Sequence, residues 1–152
     1  MADDFMTVGV VGLGLMGGSF AKAYKEAGHR VLAWNRSKDT LEMAKMSGVA
    51  DGELTESSIG GCDLVIIALY PQATIDYLKK MAPHIKAHTL VIDTCGTKRD
   101  VCEACFPIAR AHGFTFVGGH PMAGTQFSGY KYSRASMYKD AAMILVPEQF
   151  DD

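Results

Sequence analysis

The 152-residue chain has little of the three features that mark membrane, secreted and nucleic-acid-binding proteins. It has no apolar run close to the roughly 20 residues that cross a bilayer, which excludes a membrane span. Residues 1–4 (MADD) are acidic where a signal peptide is basic, so we expect a cytoplasmic protein. Its 15 Lys and Arg are outnumbered by 17 Asp and Glu, so no net positive field attracts nucleic acid. We therefore expect no membrane partner and no nucleic-acid partner.

The chain also has few cysteines, and they lack the arrangement of a zinc site. Cys102 and Cys105 form a C-x-x-C, but no second ligand pair follows at a spacing typical of zinc. Cys105 instead recurs at helical spacing with Val101 and Ala109, which indicates burial in a core. Without a signal peptide, the four thiols are expected to be reduced. We predict no metal site and a packing role for the C-x-x-C pair, with a metal or redox role as the less favoured alternative.

Strand-like and helix-like segments alternate along the chain. Its length and its hydrophobic content of 48% are typical of one globular domain, here residues 1–152 with a core of about 7–147. Residues 63–69 are apolar throughout, as in a strand buried on both faces of a parallel sheet. Strands are predicted at 7–11, 29–35, 63–69, 89–93, 114–117 and 141–146, and a helix follows each of the first four. This order predicts an α/β fold, a Rossmann-type, doubly wound and mostly parallel sheet in a single domain.

A glycine-rich loop lies between the first predicted strand and the first predicted helix. Gly12 permits a tight turn, Gly14 lets a pyrophosphate approach the backbone, and Gly17 lets the helix pack closely on the strand. The free N–H groups of the helix N-terminus then face the phosphate charge. A G-x-G-x-x-G in this context predicts a dinucleotide site, whose loop residues are Gly12, Leu13, Gly14, Leu15, Met16 and Gly17.

The residues after the second strand favour one dinucleotide over the other. No carboxylate stands where an NAD enzyme would bind the ribose 2′-hydroxyl. Arg36, helped by Asn35 and Ser37, can instead bind a 2′-phosphate, so we prefer NADP. Asn35 can also accept a ribose hydroxyl and Arg36 can stack over adenine, which keeps NAD as an alternative, and a solvated Arg36 is a third interpretation. Further cofactor contacts are predicted where the buried strand ends, from Leu69, Tyr70 and Pro71, although Pro71 also suits the start of a helix.

A second glycine-rich segment, residues 118–129 (GGHPMAGTQFSG), surrounds one histidine just past a strand end. His120 would face the same crevice as the nicotinamide. The pKa of a histidine lies near neutrality, so His120 is suited to accept a proton from an alcohol as hydride leaves the carbon. The other four histidines have no comparable setting. We therefore predict that His120 is catalytic and that substrate contacts come from the same segment, namely Thr125, Gln126 and Ser128.

Two segments, 12–19 (GLGLMGGS) and 118–129, resemble the nucleotide-binding domain of prephenate and arogenate dehydrogenases. The glycine loop is shared with many dehydrogenases, whereas the H-P-M-A-G sequence is specific. The resemblance implies NAD(P)-dependent oxidative decarboxylation of prephenate to 4-hydroxyphenylpyruvate, or of arogenate to tyrosine, in tyrosine biosynthesis. It also implies that His120 draws the proton from the ring hydroxyl while hydride passes to the nicotinamide.

The chain departs from this family at two positions near the expected site. The family usually carries a serine in a D-x-G-S-x-K segment, and here residues 93–98 (DTCGTK) place Gly96 at that position. Thr97, Cys95 or a water molecule are the candidate substitutes; we take Thr97 as the second catalytic candidate and expect Cys95 and Gly96 to border the cofactor. Gln126 stands where the family commonly has glutamate, which removes a charge.

The resemblance also implies a C-terminal helical domain that forms a homodimer, and the present chain does not contain one. We therefore expect these 152 residues to bind a dinucleotide and to turn over substrate very slowly or not at all. Two alternatives remain at this point. A β-hydroxyacid dehydrogenase would share the glycine loop and the Asn-Arg pair but would leave the His120 segment unexplained. A non-catalytic dinucleotide-sensing domain would account for Gly96.

Overall fold

The computed structural model describes residues 5–122, 128–139, 141 and 143–148. These residues form strands and helices that alternate through most of the chain, followed by a final edge strand. The strands are β1 (Thr7–Val11), β2 (Arg30–Trp34), β3 (Gly52–Glu53), β4 (Leu64–Ile67), β5 (Leu90–Asp93), β6 (Thr115–Pro121) and β7 (Met143–Pro147). The helices are α1 (Leu15–Glu26), α2 (Lys38–Met46), α3 (Pro71–Met81) and α4 (Arg99–His112), with short 3-10 helices at Ile59–Gly61, Ala82–His84 and Tyr130–Tyr132.

The described strands form one sheet in the order β3-β2-β1-β4-β5-β6-β7. Every neighbouring pair is parallel except β6 and β7, which are antiparallel. The chain winds outward from β1 in one direction and from β4 in the other, so the switch in strand order lies between these two strands. The predicted doubly wound, mostly parallel α/β sheet is confirmed, and ligands of such sheets bind at the switch, beyond the carboxyl ends of the strands.

Alternate residues of the central strands pack on opposite faces of the sheet. Leu64 and Ile66 of β4 join the core beneath α1 and α2, whereas Val65 and Ile67 join the core beneath α3 and α4. All four side chains are buried, which explains why this stretch of sequence is continuously apolar. Helices on both faces therefore fix the sheet, and the carboxyl ends of its strands are left for a ligand.

The structure differs from the sequence-based expectation at two strands. β3 was not predicted, because a strand of two residues has no periodicity to detect. β6 continues four residues beyond the predicted end, so His120 and Pro121 lie within a strand and not in a loop. The reason is β7, whose antiparallel pairing of Ile144 with His120 and Met143 with Pro121 keeps the backbone extended.

All four cysteines are free and buried. Burial raises the pKa of Cys105 to about 12, so its thiol stays protonated and serves as an apolar side chain of α4. The described residues contain no group of three or more side chains that would hold a metal ion. They also include no helix of the length and apolar character that crossing a membrane requires.

Candidate functional site

The glycine loop turns between β1 and α1 at the switch point of the sheet. Gly12 has a φ of 91°, and a Cβ there would lie 2.5 Å from the carbonyl oxygen of Ala68 on the neighbouring strand end. A Cβ on Gly17 would overlap the carbonyl oxygen of Gly12. A Cβ on Gly14 would meet nothing within 4 Å. The first and third glycines are thus required by packing, whereas Gly14 faces open space where a ligand can approach the backbone.

Asn35 joins this loop to the end of β2. Its Oδ1 accepts a hydrogen bond of 2.8 Å from the N–H of Leu13, and its Nδ2 donates one of 3.0 Å to the carbonyl of Ser37. Ser37 is the N-cap of α2, where its hydroxyl accepts from the N–H of Thr40. The two polar residues therefore shape the edge of the predicted ribose pocket, and the exposed Arg36 stands between them.

A cavity of about 1090 Å³ opens from the glycine loop across the ends of β2, β3 and β4 to α3. Predicted cofactor residues supply part of its lining: Gly12, Gly14, Leu15, Met16, Gly17, Asn35, Arg36, Leu69 and Tyr70. The rings of Trp34 and Tyr77 lie in its wall with their centroids 5.5 Å apart. A smaller cavity of about 550 Å³ lies beside it and is lined by Leu13, Gly14, Asn35, Arg36, Ser37, Thr40, Gly129 and Tyr130.

Pro71 does not line either cavity. It occupies the first turn of α3, as the helix-start interpretation expects, and a contact of Pro71 with a cofactor stays a prediction. Tyr70, the N-cap of α3, is 87% exposed at the cavity mouth.

Several lining residues were missed by the sequence analysis. Those on α3 follow helical spacing from the strand end, so this signal was available: Ala73, Asp76, Tyr77, Lys80 and Met81. Those around β3 carried no signal, because that strand is so short: Glu53, Leu54, Thr55 and Glu56. The carboxylate of Glu53 is paired with Lys38 at 3.1 Å, which offsets one of the negative charges in the lining. Burial raises the pKa of Tyr77, whose hydroxyl has no partner within the described ranges.

His120 lies at the carboxyl end of β6, outside the cavity lining but beside the loop that follows β5. A Cβ on Gly96 of that loop would lie 3.3 Å from Cε1 and 3.7 Å from Nδ1 of the imidazole. Nδ1 of His120 is buried and has no hydrogen-bond partner in the part of the chain that the structure describes. Gly96, where the family resemblance places a serine, therefore lies directly beside the histidine and offers no side chain.

Neither of the two side chains proposed as substitutes for that serine forms a hydrogen bond with Nδ1 of His120. The thiol of Cys95 donates to the carbonyl of Leu69 at 3.3 Å and lies 3.6 Å from the hydroxyl of Thr74. Burial raises the pKa of Cys95, so this thiol remains a donor. Thr97 is exposed. Cys95 thus connects the loop beside His120 to Leu69 in the cavity wall.

The remaining predicted residues lie on the segment after β6. Thr125 and Gln126 fall outside the described residues, whereas Ser128 is exposed and lines the large cavity together with Gly129. The chain then crosses α1, where the N–H of Arg134 donates to the hydroxyl of Ser19 at 3.1 Å. One further group was missed: Asp93 and Lys98 form an ion pair immediately behind the strand end that carries His120.

The chain is similar to known proteins of one family over most of its length. The family described as "Prephenate dehydrogenase, nucleotide-binding domain" matches residues 20–152. A prephenate dehydrogenase from Bacillus subtilis (strain 168) is 34% identical, and the match covers 96% of this chain and 40% of that protein. The structure of an arogenate dehydrogenase from Synechocystis superposes with a TM-score of 0.85 at 28% identity, covering 97% of this chain and 52% of that one.

A third relative was solved with ligands. A prephenate dehydrogenase from Aquifex aeolicus, in complex with hydroxyphenyl propionate and NAD+, gives a TM-score of 0.82 at 28% identity over 98% of this chain and 53% of that one. The present chain therefore spans about two fifths of the length of the Bacillus relative and about half of each solved chain. The extent and the agreement of these matches show that the chain belongs to the prephenate dehydrogenase family, where it corresponds to the nucleotide-binding domain.

Proposed function

We propose that this chain is the cofactor-binding part of an NAD(P)-dependent enzyme that oxidatively decarboxylates prephenate or arogenate in tyrosine biosynthesis. The observation that carries the proposal is the arrangement at the carboxyl ends of the strands. The glycine loop opens there on a large cavity, and His120 lies near the end of β6, which is separated from β4 by one strand. The names of the Bacillus and Synechocystis relatives support the reaction class, and the ligands of the Aquifex complex support the cofactor and a hydroxyphenyl product. A homodimer formed through a helical domain, and a cytoplasmic location, stay predictions.

In this proposal the glycine loop binds the pyrophosphate. The N–H groups at the start of α1 face the open side of Gly14, where nothing in the protein competes for the space. The adenosine lies in the large cavity between Arg36 and the α3 face that carries Tyr77. The nicotinamide supplies the hydride acceptor of the reaction.

The role of His120 is to remove the proton from the substrate hydroxyl. The carbon that carries this hydroxyl loses hydride to the cofactor, and its C–O bond becomes a carbonyl. Loss of the ring carboxylate as CO2 then makes the ring aromatic, and the resulting phenolate oxygen takes up a proton to give the hydroxyl of the product. Aromatisation favours the reaction, so the protein has mainly to orient the substrate and accept one proton. A general base in this position contributes roughly 10²–10⁴-fold to the rate.

We further propose NADP as the preferred cofactor. Arg36 is exposed and lines both cavities, and the nearby carboxylate of Glu53 is already paired with Lys38. A 2′-phosphate placed in the smaller cavity would meet Arg36 and the hydroxyl groups of Ser37 and Thr40. NAD is the second candidate, favoured by the NAD+ in the Aquifex complex.

Titration of Trp34 fluorescence with NADPH and with NADH, at one ionic strength, tests the cofactor proposal. Trp34 lies in the cavity wall, so binding is expected to change its emission. NADPH is expected to bind more tightly, and Arg36→Gln is expected to weaken NADPH by about tenfold or more, since a charge-assisted hydrogen bond contributes about 1.5–3 kcal/mol. NADH affinity should fall much less than NADPH affinity in this variant, since NADH has no 2′-phosphate. Tighter NADH binding would reverse the preference, and the absence of binding by calorimetry would overturn the site.

The catalytic proposal is tested in the complete natural polypeptide that contains these residues. Prephenate and arogenate are supplied separately, and cofactor reduction is followed by absorbance. His120→Asn is expected to lower kcat by about 10²–10⁴-fold while the dissociation constant of the cofactor stays the same. Unchanged activity in His120→Asn would refute the proton-transfer role. Absence of reduction with either substrate in the wild type would favour the dinucleotide-sensing alternative.

A further inference from the structure

The strand that carries His120 extends beyond its pairing with the neighbouring parallel strand. The register between β5 and β6 ends with Ile92 opposite Val117. β6 nevertheless continues to Pro121, and β7 pairs with it on the opposite edge. The backbone groups of β6 that face β5 past Val117 therefore need partners from elsewhere, since buried N–H and C=O groups are rarely left unpaired.

Two side chains supply these partners to a single residue, Gly119. Oδ1 of Asp93 accepts a hydrogen bond of 3.1 Å from the N–H of Gly119, and Nζ of Lys98 donates one of 2.7 Å to its carbonyl. Asp93 and Lys98 also form an ion pair with each other. The Asp93 side chain is fully buried and that of Lys98 is 18% exposed, so water competes little for these bonds. Oδ2 of Asp93 accepts in addition from the N–H of Cys95 at 3.0 Å.

The two bonds to Gly119 determine the direction from which His120 enters the site. The N–H and the carbonyl of Gly119 belong to the peptide groups on either side of its Cα, and the second of these groups includes the nitrogen of His120. Close packing adds to the restraint, because a Cβ on Gly119 would lie 2.6 Å from the carbonyl oxygen of Asp93. The loop between Asp93 and Lys98 also carries Gly96, which borders the imidazole.

We propose that Asp93 and Lys98 are positioning residues for His120. They act through the backbone of Gly119, replace the missing ladder between β5 and β6, and hold the imidazole in the orientation that faces the substrate. The catalytic part of this inference rests on the proposed function. Its structural part, the orientation of the His120 ring, does not, and the two parts are tested by different measurements.

The structural part is tested on the 152-residue chain with Lys98→Met, which keeps most of the side-chain length but removes the donor to Gly119. The imidazole nitrogens are observed by 15N NMR and assigned to His120 with the His120→Asn variant. Lys98→Met is expected to move or broaden the His120 resonances, and Lys98→Arg, which keeps a charged donor, is expected to restore them in part. Lys25→Met is the matched control, since it breaks an ion pair of 2.7 Å with Asp51 on the surface. It should leave His120 unchanged.

Because Lys98→Met leaves a buried carboxylate without its partner, this variant is at risk of unfolding. The double variant Asp93→Asn/Lys98→Met removes both charges and keeps an oxygen that can accept from the N–H of Gly119. It is expected to fold and still to show displaced His120 resonances. His120 resonances identical to those of the wild type in a folded Lys98→Met or double variant would overturn the proposal.

The catalytic part is tested in the complete natural polypeptide. The double variant is expected to lower kcat by about 10²-fold, the loss that a displacement of about 1 Å causes, with the KM for the dinucleotide unchanged. A rise in that KM with unchanged kcat would contradict a positioning role. If the wild type shows no dehydrogenase activity, the proposed function fails, while the NMR result still decides whether the pair positions His120.

Discussion

Gly96 is one of the two positions at which the sequence is expected to depart from its family, and the structure shows what surrounds it. Nδ1 of His120 is buried without a partner among the described residues, and the missing side chain of Gly96 would point at it. An unsatisfied buried polar atom costs about 1–3 kcal/mol. The backbone of Gly119, next to His120, is fixed by two hydrogen bonds, whereas Nδ1 of the imidazole has none among the described residues.

Gly96→Ser is expected to stabilise the chain by about 1 kcal/mol, because its hydroxyl can bond to Nδ1 of His120. Gly96 is not among the glycines with positive φ, so serine fits the backbone, although its Cβ at 3.3 Å from Cε1 requires a small shift of the ring. Gly96→Ala adds the same Cβ without the hydroxyl and should give no gain. Urea denaturation measures both variants. Equal stability of the two would show that no hydrogen bond forms.

At the residue scale, a local pattern in the sequence was sufficient to predict packing. The spacing of Gly12, Gly14 and Gly17 predicts the close approach at the first and third glycines that the structure shows, whereas the catalytic role of His120 stays a prediction. The pairing of Asp93 and Lys98 with Gly119 was not predictable, since it joins positions 26 and 21 residues apart through backbone atoms. A hydrogen bond to a main-chain carbonyl does not depend on the side chain of the accepting residue, so the pattern of residue types does not predict it.

At the scale of the element, the glycines of the loop before α1 have two different roles: one allows the helix to pack closely, and another leaves space for a ligand at the backbone. Gly17→Ala is expected to destabilise the chain strongly, because its Cβ would overlap the carbonyl oxygen of Gly12. Gly14→Ala should fold like the wild type, since a Cβ there meets no protein atom within 4 Å. It should weaken dinucleotide binding, because the methyl group would occupy the space of the pyrophosphate. Thermal unfolding and the Trp34 titration measure the two effects. Tight binding by Gly14→Ala would place the phosphates elsewhere.

The junction between α1 and β2 provides a pH-dependent prediction. Partial burial acts to raise the pKa of Asp51, but hydrogen bonds from Lys25 at 2.7 Å and from the N–H of Val31 at 2.8 Å lower it overall. A carboxylate with a depressed pKa stabilises the fold fully above its unfolded value of about 3.9 and loses this effect as the pH falls through its folded pKa.

Asp51→Asn is therefore expected to lower the free energy of unfolding by up to about 1 kcal/mol at pH 7, the range of surface ion pairs. The difference from the wild type should shrink as the pH falls below about 3.9. Glu42→Gln, which removes a more exposed partner of Lys45, is the control and should have little effect at either pH. A difference that persists at low pH would assign the role of Asp51 to packing.

Some boundaries of the helices and strands have a local signal in the sequence, and others do not. α1 and α4 are each followed by a glycine of positive φ, Gly28 and Gly113, and glycine after a helix is a local signal for its end. The predicted end of β6 at Val117 was wrong. The glycines and the proline of 118–121 are typical of a loop, but the strand continues to Pro121. The strand there depends on β7, which lies more than twenty residues further along, and pairing at that separation has no local signature.

At the scale of the whole molecule, dinucleotide binding and substrate turnover by the 152 residues can be measured separately. The large cavity is formed within this chain, so the 152 residues are expected to bind a dinucleotide by themselves. Turnover of prephenate or arogenate should stay far below the ~1–10³ s⁻¹ of typical enzymes, because the chain spans only 40% of its Bacillus relative. Calorimetry and a steady-state assay on the same sample measure both. A rate within that range would show that the chain holds every group that the reaction needs.

The cavity and the histidine come from different stretches of the sheet, and this separation has a practical consequence for redesign. The cavity is lined by β1 to α3 with Ser128 and Gly129, whereas His120 and its supporting ion pair belong to β5, β6 and the loop between β5 and α4. A short graft over residues 35–40, taken from a relative of the opposite coenzyme preference, is therefore expected to change which dinucleotide the protein binds while leaving His120 and its neighbouring ion pair unchanged. The two parts of the sheet edge are separate targets for biocatalyst design.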